Sequence, residues 1–190
     1  MTKRVAVLAL QGDFAEHETS LRQNGIEVME IRQRADLQKT FDALVIPGGE
    51  STVIGKLLRE LDLFFPIRER IAAGLPVFAT CAGLILLAMH IENDADVYFQ
   101  TLDVTVRRNA YGRQLGSFCT EGAFAGMAKV PMSFIRAPSI ESVGADVSVL
   151  SEYDGKPTAV MQGNQLALAY HPELLADRRV LQWFLHHVCA

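Results

Sequence analysis

Residues 75–88, LPVFATCAGLILLA, contain a short apolar segment, a turn of small residues around Cys81 and a long aliphatic run. The first segment is typical of a buried parallel strand, and the run after the turn is typical of a buried helix. Comparable strands are predicted in RVAVLAL (4–10), IEVMEI (26–31) and FDALVIPGG (41–49), with helical spacing between them. Strand, helix and strand at this spacing predict βαβ units and a mostly parallel sheet.

The second half of the chain has a different pattern. From about residue 104 to 169, short strand-like runs are interrupted by Gly, Pro and Asn, which indicates antiparallel or mixed additions to the sheet. A final amphipathic helix is predicted over about 177–188. We expect a single domain over 1–190, with an α/β, flavodoxin-like, three-layer sandwich around a mostly parallel sheet with antiparallel additions.

Composition narrows the function classes. A net charge of −4 over 190 residues provides no global basic field for nucleic acid or anionic membranes, and no apolar run approaches the roughly 20 residues that span a bilayer. The cysteines Cys81, Cys119 and Cys189 are widely separated, as expected for reduced thiols in the cytoplasm. We expect Cys119 to be a buried strand residue and Cys189 a surface thiol. The five histidines form no ligand-spaced cluster with the cysteines, so we expect no metal site and no cofactor.

Cys81 has two interpretations. It follows a predicted strand, and ligands of doubly wound sheets bind outside the carboxyl ends of their strands. Ala79, Ala82 and Gly83 supply the small neighbours that a nucleophile elbow requires, and a helix N-terminus after the thiol favours the thiolate. A cysteine among apolar residues is also commonly an inert core residue, so this segment alone does not decide between the two.

A candidate base lies near the end of the chain. His171 follows the apolar run LALAY, which puts it at the carboxyl end of another predicted strand. Pro172 favours an extended conformation for His171, and Glu173, two residues on, can then reach the imidazole and orient it. The alternative is a simple helix start, with Pro at the first position and Glu in the first turn; the two interpretations are compatible.

The segment PGGEST (47–52) follows the third predicted strand. Its two glycines allow a tight turn that exposes backbone N–H groups to an oxyanion or a carboxylate, and Ser51 or Thr52 would cap the next helix. Taken alone it is better explained as a β-turn with a capping residue. Three predicted strands thus deliver an oxyanion site, a nucleophile and a base to one edge of the sheet, which is the arrangement for acyl transfer through a thioester.

Several motifs together resemble the class I glutamine amidotransferases and, within them, the glutaminase subunits of pyridoxal 5′-phosphate synthases. The resemblance covers nearly the whole chain. The motifs are LALQGDFAEH (8–17), PGGEST (47–52), TCAGLILLA (80–88), RRNAYGRQLGSF (107–118), FIRAP (134–138) and HPEL (171–174). The resemblance implies hydrolysis of L-glutamine to L-glutamate and ammonia, with Cys81 as nucleophile, His171 as proton shuttle and Glu173 as its orienter.

The resemblance also implies the remaining site residues. Backbone N–H groups of Ala82 and of the Gly48–Gly49 turn would hold the oxyanion. Glutamine would be bound by a further set: Gly49, Glu50, Ser51, Arg108, Ile135 and Arg136. The two arginines suit the carboxylate of a free amino acid, although an arginine is more commonly a surface charge.

A partner is implied as well. The ammonia would pass to a (β/α)₈ synthase subunit in an assembly of twelve copies of each chain, and docking would activate the glutaminase. The first loop, represented by Gln11, Gly12 and His17, would meet that subunit, although it is also explained as a turn capped by Asp13. An amidotransferase of another pathway and a non-catalytic scaffold of the same fold are the alternatives. The sequence departs from the family at Ala79, where glycine is usual.

Overall fold

The computed structural model describes residues 3–110 and 116–189, and within them the chain first alternates strands and helices and then continues mainly in strands. The strands are β1 (Arg4–Leu8), β2 (Glu27–Ile31), β3 (Ala43–Ile46), β4 (Val77–Thr80), β5 (Ala88–Ile91), β6 (Leu102–Arg107), β7 (Ser117–Phe124), β8 (Met127–Ile135), β9 (Ser139–Val143), β10 (Ser148–Tyr153), β11 (Lys156–Gln162) and β12 (Gln165–Leu168). The helices are α1 (Phe14–Gln23), α2 (Ser51–Glu60), α3 (Phe64–Ala72), α4 (Ala82–Leu87) and α5 (Arg179–His187), with 3₁₀ turns at Arg34–Gln38 and Pro172–Leu174.

The main sheet has seven strands over the described residues, in the order β10-β11-β12-β4-β3-β1-β2. The five strands from β12 to β2 are parallel, and β11 and β10 extend that sheet antiparallel from β12. Strands β1, β3, β4 and β12 are almost entirely apolar and buried, as parallel strands covered on both faces should be. Helix α1 packs on β1 and β2, and α4 on β4 and β12. The predicted mixed sheet with helices is therefore confirmed.

Not every strand-like run of the second half joins this sheet. Strands β5, β6 and β9 form a separate three-stranded sheet, and β7 and β8 form a hairpin of their own. Strand β5 continues the aliphatic run directly after α4 without a break in hydrophobicity, so periodicity could not separate the helix from the strand. None of the helices in the described ranges combines the length and apolar character needed to cross a bilayer.

Three local expectations are wrong. Helix α2 begins at Ser51 with Glu50 as its N-cap, so neither Ser51 nor Thr52 caps it. Cys119 is exposed, because the hairpin strand that carries it alternates between exposed and half-covered positions. Cys189 is buried, because the chain after α5 folds back onto the core and its carbonyl accepts a hydrogen bond from the Lys3 ammonium.

Candidate active site

The loops after β1, β3, β4 and β12 surround one cavity of about 300 Å³. These strands are parallel neighbours in the sheet, so their carboxyl ends lie at a common edge, where doubly wound folds bind ligands. The cavity is lined by Gln11, Gly12, Asp13, Gly49, Glu50, Ser51, Cys81, Ile85, Arg108, Asn109, Ile135, Arg136 and His171. The edge predicted from the sequence is therefore the edge where these residues meet.

Cys81 connects β4 to α4 with a backbone that L-residues rarely adopt, at φ 48° and ψ −101°. The turn is held by a hydrogen bond of 2.8 Å from the Cys81 N–H to the Leu168 carbonyl on β12. The side chain is largely buried, with Sγ 3.9 Å from the Ile135 carbonyl oxygen. A strained residue between strand and helix is the geometry of a nucleophile elbow.

Gly83 explains why the elbow accommodates Ala79. A β-carbon built on Gly83 would lie 2.3 Å from the Ile46 carbonyl oxygen and 3.1 Å from the Ala79 β-carbon. Helix α4 therefore approaches β3 and β4 at this point as closely as a glycine allows. The methyl of Ala79 fits because the residue facing it has no side chain.

His171 is held from several sides. Its Nδ1–H donates to Glu173 Oε1 at 2.7 Å and lies 3.3 Å from Asp13 Oδ2. Its backbone N–H donates to the Ser133 carbonyl. Burial alone would lower the pKa of His171, but hydrogen bonds with Asp13, Cys81 and Glu173 outweigh it and raise the pKa well above its ordinary 6.5. Cys81 and His171 line the same cavity, so the thiol has an imidazole within its own site.

Glu173 lies in the 3₁₀ turn at Pro172–Leu174, with Pro172 at its first position. Both interpretations of this segment hold, since the turn starts as predicted and still directs the carboxylate to His171. The Glu173 side chain is 1% exposed. Burial would raise its pKa, but His17 and His171 together lower it well below its ordinary 4.5. The group is therefore a buried carboxylate beside two imidazoles.

The glycine turn of PGGEST packs tightly on its neighbours. The Gly48 carbonyl accepts from the Asp13 N–H at 3.2 Å, and the Glu50 N–H donates to Gln11 Oε1 at 2.7 Å. A β-carbon on Gly48 would lie 2.4 Å from His171 Cε1, so only glycine permits this approach to the imidazole.

The predicted oxyanion donors remain predictions. Gly49 lines the cavity beside Cys81, and Ala82 is the first residue of α4, directly after the thiol.

All six residues predicted to bind glutamine line the cavity. Arg108 has the most extensive contacts. Its guanidinium donates to the Ser51 hydroxyl and, at 3.4 Å, to the Tyr98 hydroxyl, and Nε lies 3.3 Å from Asp94 Oδ2. Arg136 is exposed and Ile135 partly so. Of the motif RRNAYGRQLGSF, residues 111–115 lie outside the described part of the chain.

Some site residues were missed or assigned differently by sequence reasoning. Asp13 was interpreted only as a helix cap, yet its carboxylate faces His171 and makes no side-chain cap bond. Gln11 and Gly12, predicted to meet a partner, line the cavity itself. His17 is 2% exposed, so its imidazole offers no contact surface in this structure. These roles depend on contacts with residues far away in the sequence, so no local sequence pattern indicates them.

A metal-like grouping is also present among the described residues. Ligand atoms of Asp13, His171 and Glu173 lie within 4.8 Å of one another. Sequence spacing could not suggest it, because Asp13 is contributed by a loop at the other end of the chain. The separations of 2.7 and 3.3 Å are those of hydrogen bonds to a shared proton on Nδ1, which accounts for the arrangement.

Comparison with known proteins identifies the family of this chain. Residues 7–190 match the family model described as the SNO glutamine amidotransferase family. The chain is 57% identical over 185 residues to the pyridoxal 5′-phosphate synthase subunit PdxT of Desulfitobacterium hafniense, covering 97% of this chain and 93% of that protein. It is 49% identical over 185 residues to the protein of the same name from Streptococcus pneumoniae, covering 96% and 95%.

Solved structures have the same fold as this chain. A crystal structure described as a glutamine amidotransferase superposes with a TM-score of 0.90 at 43% identity, covering 95% of this chain and 96% of that one. PurLQS from Thermotoga maritima superposes with a TM-score of 0.73 at 17% identity, covering 98% and 99%. The second likeness shows the fold alone.

Proposed function

Because the chain belongs to the SNO glutamine amidotransferase family, we propose that it hydrolyses L-glutamine to L-glutamate and ammonia as the glutaminase subunit of a pyridoxal 5′-phosphate synthase. The relatives named as synthase subunits support the pathway. The observation that carries the chemistry is the strained Cys81 beside His171, whose Nδ1 is bound by a buried Glu173.

The first half-reaction forms a thioester. The Cys81 thiolate attacks the side-chain amide carbon of glutamine, and the carbonyl oxygen becomes an oxyanion. Backbone N–H groups of Ala82 and of the Gly48–Gly49 turn are the proposed donors to that oxygen. The C–N bond then breaks as the His171 imidazolium gives its proton to the departing nitrogen, which leaves as ammonia.

The second half-reaction returns the enzyme to its starting state. His171, now neutral, takes a proton from a water molecule as the water oxygen attacks the thioester carbon. The C–S bond breaks, glutamate leaves, and Cys81 and His171 again share one proton as thiolate and imidazolium. Glu173 keeps the imidazole in the tautomer with hydrogen on Nδ1, so that the other ring nitrogen serves the reaction.

Substrate recognition depends on the α-carboxylate that a free amino acid carries. We infer that Arg108 binds the α-carboxylate, since its guanidinium lines the cavity between Ser51 and Tyr98. Arg136 and Ile135 would close the site from the end of β8, and Gly49, Glu50 and Ser51 from the glycine turn. A guanidinium fork suits a carboxylate in a way that a single ammonium does not.

We further propose that the ammonia passes to a separate synthase subunit, a (β/α)₈ barrel, with twelve copies of each chain in the complete assembly. The loop at Gln11–Gly12 borders the cavity and is the proposed contact near the site. One continuous cluster of buried apolar residues supports a single glutaminase domain over residues 1–190. The free cysteines suit a reducing compartment, and we place the enzyme in the cytoplasm.

Ammonia release from glutamine tests the proposal, measured with and without the cognate synthase subunit. We expect the subunit to raise the activity of the wild-type chain, and Cys81→Ala to abolish it because no nucleophile remains. Cys119→Ser is the matched control, since that thiol is exposed on the β7–β8 hairpin, and it should retain wild-type activity.

Two results would reject the assignment. Ammonia release by Cys81→Ala would exclude the thioester mechanism. Glutaminase activity that the synthase subunit neither binds nor stimulates would indicate an amidotransferase of another pathway.

A further inference from the structure

His17 is a buried imidazole on α1 that the mechanism above does not use. Its Nε2 lies 3.0 Å from the hydroxyl of Thr80 and 3.4 Å from Oε1 of Glu173. Thr80 is the residue directly before Cys81, and Glu173 orients His171. One side chain of α1 therefore contacts both the strand end that carries the thiol and the turn that carries the base.

The chemistry of the two neighbours determines where the His17 proton lies. A carboxylate only accepts hydrogen bonds, whereas a hydroxyl can donate or accept. Nε2 facing Glu173 must therefore carry hydrogen, because an unprotonated Nε2 would direct a lone pair at a carboxylate. The Nε2–H of His17 therefore faces two oxygens, the Thr80 hydroxyl at hydrogen-bond distance, 3.0 Å, and Glu173 Oε1 at an ion-pair distance of 3.4 Å.

Glu173 depends on this donor because it has few others. Both imidazoles approach the same oxygen, Oε1, at 2.7 Å from His171 and 3.4 Å from His17. The other oxygen, Oε2, is buried and has no hydrogen-bond partner among the described residues. A buried carboxylate with one free oxygen is costly, so each remaining donor matters for keeping it ionised and in place.

The other groups around His17 do not take over this role. The small cavity beside it is lined by Phe78, Asp177 and Glu173, among others. Asp177 is already bound by Arg179 at 2.7 Å. Phe78 meets the His17 ring edge-on, with ring centroids 5.9 Å apart, and this contact fills space without supplying a donor to Glu173.

We propose that His17 is a positioning residue for the glutaminase reaction, donating to the same Glu173 oxygen as His171 and so fixing the carboxylate that orients the base. The inference rests on the proposed function. It assigns to α1 a direct part in the active site, although His17 touches neither the substrate nor the thiol. Two imidazoles thus share one carboxylate oxygen, and one of the two, His171, lines the same cavity as the Cys81 thiol.

The test compares His17 variants of the full chain, each assayed in the presence of the synthase subunit. His17→Leu should lower kcat for glutamine hydrolysis about 10- to 100-fold, because small displacements of a catalytic group have effects of this size, while KM stays within about twofold. The acid limb of the kcat profile should move to higher pH, because Glu173 loses a donor that favours its ionised form. His17→Gln should keep most of the wild-type kcat and the wild-type acid limb, because its amide reaches the position of Nε2. His17→Asn, whose side chain is shorter, should not.

Leu21→Ala is the matched control for packing, since Leu21 is buried one turn further along α1. It should lower the melting temperature and leave kcat and the acid limb unchanged. Three results would overturn the inference: wild-type kcat in His17→Leu, a loss of kcat without movement of the acid limb, or equal activity of the Gln and Asn variants.

A second measurement separates this inference from the proposed function. Alkylation of Cys81 by iodoacetamide, followed by mass spectrometry, reports the reactivity of the thiol without glutamine. His17→Leu should slow alkylation at mildly acidic pH relative to the wild type and Leu21→Ala. An unchanged rate contradicts the role of His17 even if the chain hydrolyses glutamine, and a slowed rate supports that role even if it does not.

Discussion

At the scale of single residues, two arginines that are neighbours in the sequence have different surroundings. Arg107 is half-exposed and pairs with the carboxylates of Glu92 and Glu141 on the small sheet. Arg108 points into the cavity and is held by Ser51 and Tyr98. Strand β6 ends at Arg107, which is a surface charge of that strand. Arg108 begins the following turn and lines the cavity, where it can meet the substrate.

Arg108→Lys should therefore raise KM for glutamine by about 10-fold or more, because an ammonium cannot make the paired hydrogen bonds of a guanidinium. Turnover at saturating glutamine should fall less, since the reacting groups are untouched. Steady-state kinetics of ammonia release measure both constants. Arg107→Lys is the matched control and should leave KM unchanged; equal KM values for the two variants would contradict the role of Arg108.

The positions of candidate site residues were predictable from the sequence where one motif carries the whole local geometry. TCAG and HPE each predict a strand end with a functional group, and Cys81 and His171 do lie at one edge. Asp13 and His17 were not predictable as partners of His171 and Glu173, because those contacts join positions more than 150 residues apart in a sequence of 190. Contacts of this kind depend on the topology of the sheet, which local patterns do not contain.

At the scale of elements, α4 packs closely against the sheet beside the site. It is only six residues long, and all of them are buried. Its second residue, Gly83, faces the Ile46 carbonyl of β3 and the Ala79 methyl of β4. The helix must approach the sheet this closely for Cys81 to occupy the turn between them.

Gly83→Ala should destabilise the fold by about 1–3 kcal/mol, the usual cost of forcing extra atoms into a packed core, although alanine is the better helix former. Chemical denaturation measures the free energy of unfolding. Gly116→Ala is the control, because a β-carbon there would meet none of the described residues within 4 Å, and its unfolding free energy should stay close to that of the wild type. A Gly83→Ala chain as stable as the wild type would show that α4 can move away from the sheet.

The presence of the parallel strands was predictable, and the extent of some neighbouring elements was not. Valine-rich runs and glycine stops identified β1, β3 and β4 because such strands are buried on both faces. The boundary between α4 and β5 falls inside one aliphatic run, where a buried helix and a buried strand have the same composition. The additions of the second half were recognised as strands, but their distribution over three sheets depends on long-range pairing.

At the scale of the whole molecule, the buried pair of His171 and Glu173 links stability to pH. The lowered pKa of Glu173 means that its contribution is present above its ordinary 4.5 and is lost as the pH falls below that value. The raised pKa of His171 means that its contribution is complete below its ordinary 6.5 and is lost progressively as the pH rises above it. The pair therefore stabilises the fold most between about pH 4.5 and 6.5.

The free energy of unfolding of the wild type should accordingly exceed that of Glu173→Gln most at about pH 5.5, and the difference should shrink towards about pH 9. Denaturant titrations at several pH values measure this difference. Glu16→Gln, at an exposed position of α1, is the control and should differ little from the wild type throughout. A stability difference for Glu173→Gln that grows towards alkaline pH would contradict the predicted protonation of the pair.

The backbone of Cys81 has a consequence for how this protein can change over evolutionary time. A non-glycine residue at φ 48° costs roughly 1–2 kcal/mol that glycine would not. Replacing this cysteine with glycine would relieve that backbone strain and remove the nucleophile in the same step. A chain kept for its shape alone would have no reason to retain this strained backbone, so continued demand for ammonia is what maintains it.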